Sequence, residues 1–104
     1  MAETHFLKTW PQFYRAVARG DKRFEVRKDD RAYQAGDVLV LQEYDPERRE
    51  FNGPSVRVRV TFVLRGGEFG IEPGFVVMSL GEPTEDDMGP MGLSAATFGR
   101  RGST

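Results

Sequence analysis

Hydrophobic and polar positions along this chain alternate in short runs that turn residues separate. Residues 5–8 form a first run of strand length. Thr9 and Gln12 then have the spacing of a capping box, and Gly20 stands where a left-handed residue would end a helix. Between them the apolar side chains recur at helical spacing, which predicts one stripe against a core; they are Trp10, Phe13, Tyr14 and Val17.

Four further segments have the length and pattern of strands. Residues 23–28 alternate apolar with charged side chains, and residues 56–64 begin by alternating valine with arginine. Residues 38–41 are continuously apolar, as in a strand buried on both faces, and residues 75–80 form a last apolar run. Asp-Pro and Asn-Gly within residues 45–53 predict a hairpin loop.

Five strands with one main helix between strands 1 and 2 predict a small α+β domain that resembles a β-barrel. We expect no parallel β-α-β winding, because only one connection is long enough for a crossover helix. The domain is predicted to span residues 1–80. From residue 81 the periodicity stops and acidic residues and glycines take over, so residues 81–104 are expected to form a flexible C-terminal tail.

Composition narrows the possible functions. A chain of 104 residues is long enough for one domain, and a formal net charge of −1 argues against attraction of nucleic acid by the whole surface. Locally, residues 19–31 hold six basic side chains against four acidic ones. No cysteine and a single histidine exclude disulfides, thiolate chemistry and two-histidine metal sites, so we expect neither a metal nor a cofactor.

The chain also lacks a readable signal peptide and any apolar run of the roughly 20 residues that a membrane helix needs. We therefore expect a cytoplasmic monomer without membrane contact.

The charged second strand is the strongest candidate for a binding site. Its alternation places two apolar residues on one face and Glu25 and Arg27 on the other, within reach of each other. Lys22 precedes this pair and Lys28 follows it. Such a set predicts a charged cleft. The alternative is a surface ion pair, which contributes about 0–1 kcal/mol to stability.

The predicted helix start supplies a second group of candidates. Lys8, Thr9 and Trp10 lie where unpaired backbone N–H groups attract anions. Trp10 can stack on a base there, but packing of this side chain in the core is the interpretation we favour. Tyr44, at a strand end, lines a pocket or is buried, and His5 is expected to be structural or at the surface.

The order of these pieces resembles the ASCH domain superfamily, whose fold is PUA-like, and within it an uncharacterised bacterial and phage branch. The resemblance covers residues 5–80 and lies in five segments: residues 5–9, 20–28, 29–31, 36–39 and 41–45. It implies a PUA-like barrel with a cleft lined by the Gly-x-Lys-x-x-Glu-x-Arg residues and the helix start.

The resemblance also implies a function, since ASCH domains are generally proposed to bind RNA. We expect a module that binds RNA or a modified nucleotide, through Lys8, Thr9, Trp10, Lys22, Glu25, Arg27, Lys28, Arg31 and Tyr44.

Two alternatives stay open. Some small ASCH members are amidohydrolases that act on N4-acetylcytidine through a lysine, a threonine and a glutamate. Lys22 matches the lysine, but Glu25 stands in place of the threonine. The other alternative is a protein-interaction domain, to which only the tail points.

Overall fold

The chain forms six strands and one helix within residues 2–86, the part that this computed structural model describes. In chain order the elements are β1 (Thr4–Thr9), α1 (Pro11–Ala18), β2 (Phe24–Lys28), β3 (Val38–Asp45), β4 (Glu50–Arg65), β5 (Phe75–Leu80) and β6 (Thr84–Asp86). The prediction of a small α+β domain with one main helix is confirmed. At eight residues α1 is far too short to span a bilayer, and the described range contains no helix that could.

The strands follow one path in the order β1-β3-β4-β5-β2, and β6 pairs with β4 beside it. The β1–β3 pair is parallel, so the expectation of no parallel winding is wrong. The crossover is possible because the connection between these strands holds both α1 and β2. The other pairs are antiparallel. β6 falls within the segment predicted to be a tail, and residues 87–104 of that segment lie outside the described residues.

β4 is the longest strand and pairs with different neighbours along its length. Its first part pairs with β3 and its last part with β5, and the ladder to β5 is irregular between Val60 and Phe62. An irregularity of this kind bends a strand and increases its twist. Within residues 2–86 no backbone ladder joins β1 to β2, the two ends of the path, but side chains connect them.

The core lies between the inner faces of these strands and α1. β4 and β5 bury alternate residues, whereas the apolar run of β3 is buried on both faces, as predicted. From α1 only Tyr14 and Val17 are buried. The strand residues of the core are Leu7, Leu39, Leu41, Val56, Val58, Val60, Val76, Met78 and Leu80.

The helix begins differently from the prediction. Trp10 is the N-cap and makes no side-chain capping bond, and Pro11 occupies the first helical position. Thr9 is instead the last residue of β1, paired with Glu43, and its hydroxyl donates to the Leu7 carbonyl at 3.3 Å. The predicted capping box is wrong because Thr9 belongs to the β1–β3 ladder and not to the start of the helix. The helix ends as predicted, with Gly20 at φ +84°.

The faces of β2 are the reverse of those predicted for a cleft. Glu25 pairs with Met78 and Arg27 with Val76, both of which are core residues of β5. Cross-strand partners share a face, so Glu25 and Arg27 point toward the interior. The apolar residues of the strand, Phe24 and Val26, are about half exposed on the outer face.

A buried carboxylate fixes the start of the chain to the loop before β3. Asp37 accepts hydrogen bonds from the backbone amides of Glu3 and Gln34, both at 3.0 Å, and lies 2.9 Å from His5 Nε2. Burial alone would raise the pKa of Asp37, but these three partners together hold its pKa below the usual value. His5 is therefore structural, one of the two roles predicted for it.

We predict that Asp37→Asn lowers the free energy of unfolding by about 1–3 kcal/mol at pH 7, because a buried hydrogen-bonded charge is lost. The folded pKa lies below the unfolded value of about 3.9, so the stabilisation is complete above that pH and disappears as pH falls through the folded pKa. Urea unfolding at pH 7 and below pH 3 measures this. The difference between wild type and variant should shrink in acid; an equal difference at both pH values would contradict the prediction.

Candidate functional site

A pocket of about 580 Å³ opens between the end of β1, the start of α1 and β2. This volume lies within the range of roughly 300–1,000 Å³ that is typical of small-molecule sites. Seven of the nine predicted ligand-binding residues line it; Arg31 and Tyr44 do not. The lining consists of Lys8, Thr9, Trp10, Phe13, Lys22, Phe24, Glu25, Val26, Arg27, Lys28 and Phe75.

Glu25 is the centre of the polar side of this pocket. The residue is only 4% exposed, and each carboxylate oxygen has a cationic partner. Lys22 Nζ donates to Oε1 at 2.9 Å, and Arg27 Nε donates to Oε2 at 2.8 Å. The alternative of an exposed surface ion pair is therefore wrong: these are charge-assisted hydrogen bonds to a buried carboxylate.

Both cations are also held by backbone oxygens. Arg27 Nη2 donates to the Lys8 carbonyl at 3.0 Å and lies 3.4 Å from the hydroxyl of Thr9, so Arg27 ties β2 to β1. Lys22 Nζ donates to the Phe24 carbonyl at 2.7 Å and lies 4.7 Å from the centre of that ring. These contacts fix the ammonium and guanidinium groups before any ligand arrives.

Aromatic rings also line the pocket, next to these cations. Trp10, Phe13 and Phe24 are each about half exposed, so the interpretation of Trp10 as a core residue is wrong. The reason is its place at the N-cap, outside the stripe that α1 buries. Exposed apolar patches of this kind mark binding sites more often than isolated surface residues do. The site thus combines flat apolar surface with fixed positive charge.

Positive charge predominates around the pocket. Four cationic side chains line it, against one carboxylate: Lys8, Lys22, Arg27 and Lys28 against Glu25. Tyr44 does not line the pocket but contacts one of its lining residues, because Lys8 Nζ lies 4.5 Å from the centre of the Tyr44 ring. Arg31 lies at a second pocket, of about 170 Å³, on the far side of Arg27.

The sequence did not predict the aromatic wall of the pocket, which consists of Trp10, Phe13 and Phe24, because we assigned the apolar residues of α1 and β2 to the core. One signal existed in β5, where Ser79 is polar and alternates with the buried Met78 and Leu80. Phe24 pairs with Ser79, but only the register reveals this. Among residues 2–86 no three carboxylate or imidazole side chains gather in a way that could hold a metal ion.

Comparisons with known proteins place the chain in a family. A family model described as "Domain of unknown function (DUF3850)" matches residues 4–80, so the chain belongs to this family. The matched range contains every residue that lines the main pocket. The chain is also similar to the "Uncharacterized 12.9 kDa protein in GpA 3'region" of Escherichia phage P2, with 40% identity over 63 residues. That match covers 61% of this chain and 56% of the relative, so the chain matches only about half of the relative's length.

We predict that Arg27→Ala lowers the free energy of unfolding by about 2–4 kcal/mol, because it leaves Glu25 buried with one cation and removes a bond to β1. Arg19→Ala is the matched control, since Arg19 pairs with Asp21 on the exposed surface at 3.0 Å. The Arg19→Ala substitution should lower the free energy of unfolding by less than about 1 kcal/mol. Urea unfolding of both variants measures the difference, and losses of equal size would contradict the role given to Arg27.

Proposed function

We propose that this member of the DUF3850 family binds RNA or a modified nucleotide in the main pocket. One observation carries the proposal: half-exposed aromatic rings and fixed cations face the same 580 Å³ space around a buried carboxylate. A nucleotide combines a flat apolar base with a negatively charged phosphate. The aromatic rings and the cations that line the pocket match these two parts.

The aromatic rings supply a stacking surface for the base. Stacking of a base on an aromatic side chain contributes about 1–3 kcal/mol and tolerates any base. Trp10 is 50% exposed and presents the largest such surface in the lining. A bound base would also cover apolar surface that is otherwise in contact with water.

The distribution of charge supports a local site over a broad nucleic-acid surface. The net charge of the chain is −1, whereas the pocket lining carries four cations. We expect binding to weaken with salt, but with a slope that reflects few phosphate contacts. This pattern fits a short single strand or one nucleotide better than a long duplex.

The resemblance to ASCH domains forms part of the same proposal. Arg27 and Arg31 donate from β2 and the following loop to carbonyls of β1, at 3.0 and 3.2 Å. These bonds join the two ends of the strand path and support a PUA-like barrel, in which β1 and β2 would be neighbours. The candidate cleft then lies at the junction, beside the start of α1.

Two contacts favour binding over the amidohydrolase alternative. A lysine that attacks a substrate must direct its nitrogen at the substrate, but Lys22 Nζ already donates to the Phe24 carbonyl and to Glu25. Both carboxylate oxygens of Glu25 already accept hydrogen bonds, from Lys22 and Arg27, so neither is directed at a substrate proton. The protein-interaction alternative depends on the tail, most of which lies outside the described residues.

We predict that Trp10→Ala weakens binding of short single-stranded RNAs or single nucleotides at least fivefold, because a stacking surface is lost. Phe62→Ala is the matched control, since Phe62 is an exposed aromatic residue of β4 that does not line the pocket. Fluorescence or calorimetric titrations give the affinities. Equal affinity of wild type and Trp10→Ala would show that the ligand does not bind on Trp10 in the main pocket, and would contradict the proposal.

For the enzyme alternative we predict no release of cytidine when the protein is incubated with N4-acetylcytidine and the mixture is analysed by chromatography. A binding module leaves the amide intact, whatever its affinity for the nucleoside. Turnover that wild type shows and Lys22→Ala lacks would instead support the amidohydrolase.

A further inference from the structure

A second, smaller pocket adjoins the main one. Its volume is about 170 Å³. Arg27 and Lys28 line both pockets, so these two side chains border both spaces. The lining of the smaller pocket is Leu7, Arg27, Lys28, Asp30, Arg31 and Tyr33.

Tyr33 is the unusual residue of this lining. It is only 1% exposed, its ring packs edge-to-face on His5 at 4.8 Å, and its carbonyl accepts from Arg65 at 2.6 Å. Its hydroxyl, in contrast, forms no hydrogen bond with any residue in the described part of the chain. Among the described residues, Asp29 Oδ1 is the buried side-chain oxygen without a partner, and the Tyr33 hydroxyl is not in that class. The hydroxyl therefore reaches the space of the smaller pocket, where it can donate to a ligand in place of water.

The protonation state of Tyr33 makes it a donor. Burial raises the pKa of the phenol above 10, although the nearby Arg31 and Arg27 oppose this rise. The hydroxyl therefore stays protonated at neutral pH. The guanidinium groups beside this donor favour an acceptor with negative charge.

The cations of the smaller pocket are partly fixed. Arg31 Nη1 donates to the Phe6 carbonyl at 3.2 Å, and Arg27 is held by Glu25 and Lys8. Together with Lys28 they give three cations against one exposed carboxylate, that of Asp30. Guanidinium groups bind the oxygens of phosphate in pairs, and a phosphate offers enough oxygens for several donors at once.

We propose that the smaller pocket is a phosphate subsite, so that the ligand is a nucleotide whose base lies on the aromatic wall and whose phosphate lies between Arg27, Arg31 and the Tyr33 hydroxyl. This inference rests on the proposed function. It adds that the phosphate is required for full affinity and that a nucleoside occupies only half of the site. The phosphate can be terminal or part of an RNA backbone.

The test compares three probes on the intact chain: a nucleoside, its 5′-monophosphate and the corresponding dinucleoside monophosphate. Calorimetric titration of wild type should give an affinity at least tenfold higher for one or both phosphate-bearing probes. A preference for the monophosphate indicates a terminal phosphate, and a preference for the dinucleoside indicates an internal one. Inorganic phosphate should compete with the preferred probe.

Two variants assign the preference to the smaller pocket. Tyr33→Phe removes only the unpartnered hydroxyl and should reduce the phosphate preference about threefold to tenfold without loss of stability. Arg31→Ala should reduce it about tenfold, whereas Arg48→Ala, an exposed arginine that lines neither pocket, should leave it unchanged.

The outcomes separate this inference from the proposed function. If nucleoside and nucleotide bind equally and Trp10→Ala weakens both, the phosphate subsite is wrong and the base site stands. If the preference persists in Tyr33→Phe and Arg31→Ala, the phosphate binds elsewhere and the inference is wrong. If none of the probes binds wild type, the proposed function itself fails.

Discussion

The burial of Glu25 is the constraint on which the candidate site depends. A carboxylate on the inner face of β2, opposite Met78, is stable only if cations neutralise it and occupy its oxygens. Lys22 and Arg27 meet this requirement. Arg27 continues to the backbone of β1, so the same interaction brings the two ends of the strand path together and forms one side of the pocket.

This arrangement determines where the apolar residues of β2 lie. Because side chains alternate along a strand, an inward Glu25 and Arg27 leave Phe24 and Val26 on the outer face. Trp10 and Phe13 of the helix start face the same space. The buried charge of Glu25 and the exposed ring of Phe24 are thus two results of one register.

Part of the fold and of the candidate site could be predicted from the sequence because the patterns that indicate them are local. The apolar run of β3, the end of α1 at Gly20 and the grouping of residues 22–28 in one site all depend on neighbours along the chain. The face of β2 could not be predicted in this way. Alternation identifies two faces, but the register against β5, some fifty residues later, decides which one is buried.

Other features were hidden for related reasons. Thr9 continues β1 because it pairs with Glu43 of β3, a partner that is too distant in sequence to be predicted. Tyr33 is buried although it lies in a loop without any periodic pattern. Tyr33 offers no sequence signal for the role inferred for it. The unpartnered hydroxyl is visible only when its surroundings are known.

The most direct measurement of the central claim is NMR chemical-shift mapping of the intact chain with a nucleoside 5′-monophosphate. We expect shifts of the Trp10 indole, of the Phe24–Lys28 amides and of the Arg31 and Tyr33 signals, all within one saturable binding curve. Shifts confined to other surfaces, or none at saturating nucleotide, would contradict the account.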